Sequence, residues 1–166
     1  GDISGGTINT SGDIDLTTSI GLGGDVIGVE IASVGGVGDI TVKADDNITG
    51  NTIQAAGEVT LDATEGDISG GTVDAAGDVS VTVDKGNIDG IHVNATDIVT
   101  FNADAAGTDG GAGTTNQSNI RNAEVTGTII TVNAEVDIDN TSLISTTGAV
   151  TVTAESVGAA NGDITN

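Results

Sequence analysis

Residues 46–65, 66–85 and 86–105 align with one another without gaps, so this stretch repeats itself every 20 residues. GDISGGTVDAAGDVSVTVDK (66–85) falls directly over GNIDGIHVNATDIVTFNADA (86–105). A unit this short cannot bury an apolar face alone, and periods of this order signal stacked repeats. With the apolar residue of the Gly-Asp-Ile motif as anchor, units begin at Ile3, Val26, Ile48, Ile68, Ile88, Ile120 and Ile138, and a further one opens at Ile164.

The columns of this alignment predict local structure. Five residues after each anchor stands Ile8, Ile31, Ile53, Val73, Val93, Val125 or Leu143, and two residues later a small side chain, from Thr10 to Ser145. A second segment then alternates apolar and polar residues, with inner pairs such as Ile14 and Leu16, Val79 and Val81, Val99 and Phe101, and Val150 and Val152. Alternation with period two marks strands with one buried face, and no segment sustains the 3.6-residue period of a helix. Two residues after the anchor come Gly5, Gly28, Gly50, Gly70 and Gly90, then Asn122 and Asn140. Gly and Asn tolerate a left-handed backbone, so the column predicts one bend per unit. Immediately before the anchor the residue is always Asp or Asn: Asp2, Asp25, Asn47, Asp67, Asn87, Asn119, Asp137 and Asp163. Stacked coils would turn this column into a structural ladder in which side chains satisfy neighbouring backbone donors.

These patterns predict an all-β fold, a parallel β-solenoid of about seven coils of ~20 residues, with 1–166 as a single repeat domain. Three insertions break the period, at Ser19–Gly23, around Ser33–Gly36, and at 104–117 (DAAGTDGGAGTTNQ), the last expected to loop out. The chain has no initiator Met and no basic segment ahead of an apolar one, and reads as part of a longer array or fibre.

Composition narrows function. The chain carries 25 acids against three Lys and Arg, for a formal charge of −22, which disfavours nucleic acid and anionic membranes as partners. No apolar run approaches the ~20 residues that span a bilayer. There is no Cys, so thiolate sites are excluded, and a single His argues against the usual His-rich metal arrangements. Enzymatic activity is not expected. Polysaccharide cleavage on such a scaffold needs cations or aromatic platforms, and here Lys43, Lys85 and Arg121 are the only Lys or Arg, while Phe101 falls in an inward column. His92 falls in an outward column and reads as a solvated strand residue.

Three binding chemistries bear on the outward columns and the insertion. A rank of Thr41, Thr60, Ser80, Thr100, Thr131 and Thr151 approaches an ice-binding array, but Lys43 and Asp62 interrupt its partner rank. Asp13, Asp39, Glu58 and Asp78 form a second acidic column, expected to lack the relief that Asn brings to the first. Two carboxylates one rung apart repel by about 0.9 kcal/mol in water, from 332/(ε·r) at ~4.8 Å. Ca²⁺, which takes oxygen ligands, could bridge such a column, and these four residues are the candidate metal ligands; no other cofactor is expected. The 104–117 loop is a candidate contact for a surface carbohydrate. Its GTDGGAG segment matches the calcium-binding nonapeptide only poorly.

GDISGGTVDAAGDVSVTV (66–83) and GDISGGTINTSGDIDLT (1–17) resemble filamentous-haemagglutinin-type repeats of large bacterial exoproteins. The resemblance implies a right-handed β-helix, secretion to the cell surface, and adhesive or filament-forming roles; all matching positions are structural. The expectation is therefore a structural segment of an extracellular filament, sheath or adhesin, stacked end to end with copies or with neighbouring repeats. The alternative is a carbohydrate- or Ca²⁺-dependent surface-binding module.

Overall fold

β-branched residues alternating with short polar ones favour a pleated backbone, and Gly or Asn corners break it into short strands. The computed structural model describes residues 1–18, 21–103, 118–154 and 163–165. Among these residues there are 22 strands and no helix. They form three parallel sheets, with strand order following coil order in each. The first sheet takes two residues per coil, from Ile3–Ser4 to Ile164–Thr165. The second takes four, from Thr7–Thr10 to Ser142–Ser145. The third runs from Ile14–Thr17 to Val150–Ala154. The chain is a β-solenoid of seven turns and part of an eighth, which at ~4.8 Å per rung makes a rod about 34 Å long.

The register follows the repeat alignment. Ile68 pairs with Ile48 on one side and Ile88 on the other. Val73 lies between Ile53 and Val93, and Val81 between Leu61 and Phe101. Pairing continues across the 104–117 insertion, where Ile88 meets Ile120 and Phe101 meets Val132. The predicted corner column is left-handed at every member, from Gly5 at φ 63° and Gly70 at 61° to Asn122 at 51° and Asn140 at 48°.

The inward columns make one continuous core in which Phe101, Ile68 and Ile88 are almost wholly enclosed. A third inward row lies beyond the predicted pairs: Ala44, Ala63, Val83, Ala103 and Ala134 are all buried where the third sheet turns toward the next coil. At Gly127, a member of the small-residue column, even a methyl group would be crowded. A Cβ on Gly127 would lie 2.8 Å from Val99 Cγ2 and 3.0 Å from the Asp97 carbonyl.

Two substitutions test this packing. Ile68→Ala should cost about 2–5 kcal/mol in urea unfolding, because rungs on both sides prevent collapse into the cavity. At the corner, Gly70→Asn should be tolerated and Gly70→Val should lower Tm sharply, since a β-branched residue is strained at positive φ.

Candidate functional site: the corner ladders

Stacking brings each pre-anchor Asp or Asn over its counterpart. The Asp2 Oδ1 accepts the backbone N–H of Asp25 at 3.3 Å, and Asp25 Oδ1 accepts that of Asn47 at 2.9 Å. The same bond repeats from Asp67 to Asn47 at 2.8 Å, Asn87 to Asp67 at 2.7 Å and Asn119 to Asn87 at 3.1 Å. It continues from Asp137 to Asn119 and from Asp163 to Asp137, both at 3.2 Å. Where Asn follows Asp, the amide adds a second contact: Asn47 and Asn87 donate through Nδ2 to Asp25 and Asp67 at 2.9 and 3.1 Å. The eight residues of this column thus form one side-chain-to-backbone ladder along the rod.

The second acidic column does not lack relief. Asp13 Oδ1 accepts the Asp39 N–H at 3.1 Å, Asp39 Oδ1 accepts the Glu58 N–H at 2.8 Å, and Asp78 Oδ1 accepts the Ile98 N–H at 3.0 Å. Asp13, Asp39, Glu58 and Asp78 include no Asn, so the relief that Asn brings is absent; instead a backbone N–H sits against the Asp13, Asp39 and Asp78 carboxylates, which the side-chain pattern could not reveal. The column also ends early, because its next members are Ile98, Ile129 and Ala149. Among the described residues no three His, Asp or Glu side chains cluster as a metal site would require.

An acid that the repeat did not single out is the most enclosed acid among the described residues. Asp45 is only 5% exposed and accepts the Gly23 N–H at 2.8 Å. Its own N–H donates to Thr18 Oγ1 at 2.9 Å, and Thr18 in turn donates to the Gly24 carbonyl at 3.0 Å. The N–H groups of Gly21 and Gly23, with a lesser contribution from Leu22, hold the Asp45 carboxyl below the usual carboxylate range. This acid anchors the first insertion. The only available clue was negative, since Asp45 falls beside an interruption of the period.

The Lys and His side chains meet acids one rung away. Lys43 lies 3.3 Å from Asp62, Lys85 2.7 Å from Glu65, and His92 Nδ1 2.9 Å from Glu124 Oε2. Arg121 is flanked in the first sheet by Asp89 and Asp139. The expected Thr rank is present, with Thr100 between Ser80 and Thr131. A void between Ile53, Leu61, Ile68 and Ile91 has room for about one water molecule and is no substrate cavity. The 104–117 loop lies outside the described residues. No family model, curated protein or solved structure matches the chain.

Two measurements probe the ladders. Asn87→Asp should destabilise the rod by about 1 kcal/mol at neutral pH and low salt, since it removes an amide donor and stacks like charges at ~4.8 Å. Added salt should narrow the loss. For Asp45 the folded pKa is depressed, so its contribution is full above the unfolded value of about 3.9 and fades as pH falls through the folded one. Asp45→Asn should therefore lower Tm at pH 7, and its gap to the wild type should close below about pH 4.

Proposed function

We propose that this chain is a structural segment of an extracellular filament, sheath or adhesin, acting as a stiff spacer. The observation that carries the reading is the unbroken register of its columns through seven coils. The seven full coils are hydrogen-bonded to one another through three sheets and through a corner ladder, which resists bending and local opening. Most outward positions of the sheets carry short polar or acidic side chains, as suits a hydrated fibre surface, with Ile98 and Ile129 among the exposed apolar exceptions. The haemagglutinin-like repeats point the same way.

Stacking also supplies a means of extension. Ile8 and Leu16 in the first coil, and Leu143 and Val152 in the seventh, pack against the core but stay only partly buried. An adjoining coil in the same register, from a copy or a neighbouring repeat, would cover them and continue the ladders.

Electron microscopy and fibre diffraction of the native material test this. The expected result is continuous fibres with an axial spacing of ~4.8 Å. Discrete particles that bind a saccharide and form no fibres would overturn it.

A further inference from the structure

The charge of −22 is not spread evenly over the rod. Outward positions of the second sheet include Glu30, Asp74, His92 and Glu124, and those of the first include Asp89, Arg121 and Asp139. In the third sheet the charged outward residues are Asp15, Lys43 and Asp62, all on the first three coils. From Ser80 and Thr82 on the fourth coil to Thr151 and Thr153 on the seventh, that face is built of Ser, Thr and Asn alone. At its border the acidic column gives way to Ile98 and Ile129, which are 38% and 41% exposed and stacked on each other. The result is a sheet face whose outward strand positions carry no charge, with an apolar edge, on a strongly anionic molecule.

We propose that this patch is a lateral contact between two copies of the chain, each presenting its third sheet to the other. The proposal rests on the filament reading and names the face by which its rods associate. Electrostatics select the occupant. Two such chains repel over most orientations, and facing the third sheets by a two-fold axis removes like-charge contact from the interface. A two-fold contact needs a self-complementary surface, and hydroxyl and amide groups, which can both donate and accept, provide one.

Area sets the strength. Four coils at ~4.8 Å and five-residue strands at ~3.3 Å give roughly 320 Å² on each partner. A stable interface needs about 800 Å² per partner, so one pair of these chains meets only transiently. Along a rod in which many coils engage together, the same contact multiplies through effective concentration and bundles filaments.

The absence of cysteine allows a clean trapping experiment. Thr131→Cys places a thiol on the patch, and Thr72→Cys places one on the more exposed second sheet as a control. With a short bis-maleimide, Thr131→Cys should give cross-linked dimer several-fold faster than Thr72→Cys at equal concentration. Adding Ser80→Asp and Thr100→Asp to Thr131→Cys should bring the rate down to the control, and added salt should raise it by screening the net charge. Thr151→Cys, on the same face, substitutes if Thr131→Cys lowers Tm. Equal rates for the two faces, or no effect of the added acids, would overturn the proposal. So would a soluble neutral glucan that binds the chain and suppresses the cross-link, since the face would then belong to a saccharide. Native single fibres seen by microscopy beside equal cross-linking rates would leave the filament reading intact and reject lateral pairing alone.

Discussion

Backbone hydrogen bonding between successive coils governs this molecule. It places each residue about one strand spacing from the residue 18 to 32 positions away that plays the same part. A side chain is therefore judged by whether it can lie on its own kind. Ile and Val meet that condition in the interior, where they interdigitate without polar atoms to satisfy. Gly meets it at corners, and Asn replaces it at Asn122 and Asn140, where Nδ2 of each reaches an oxygen of the preceding rung at 2.8 Å.

Acidic residues satisfy the same condition by a different route. A column of bare carboxylates would repel along its length, yet backbone N–H groups fill the gaps between rungs at both acidic corners. Asn interleaved with Asp contributes a further donor. The Lys contacts are surface pairs, worth about 0–1 kcal/mol each. The acidity is accommodated chiefly by backbone dipoles, and stability comes from the enclosed apolar columns.

Much of this was legible because the chain can be aligned to itself. Ile68 between Ile48 and Ile88, the positive φ at Gly70, and the ladder through Asn87 all follow from columns visible in the alignment. The third inward row was not, because Ala44 and Ala63 are as compatible with a surface as with a core. Nor was the buried Asn51, which accepts the Val29 N–H at 2.7 Å and donates to the Val26 carbonyl at 3.1 Å in a column otherwise of mixed character. Asp45 and Thr18 serve an insertion, and periodicity carries no information about a feature that occurs once. The relief at Asp13, Asp39 and Asp78 depends on which way a backbone N–H points, and residue types do not encode that direction by themselves.

The corner ladder runs one way. Each Oδ1 accepts from the coil that follows it in the chain, never from the one before, from Asp2 through to Asp137. Stripping a coil from the N-terminal side leaves an unpaired donor on the rod, whereas stripping one from the other side leaves an unpaired acceptor, often a carboxylate. The two breaks leave chemically different surfaces. A rod built this way is a vector: under tension its two ends would peel at unequal forces.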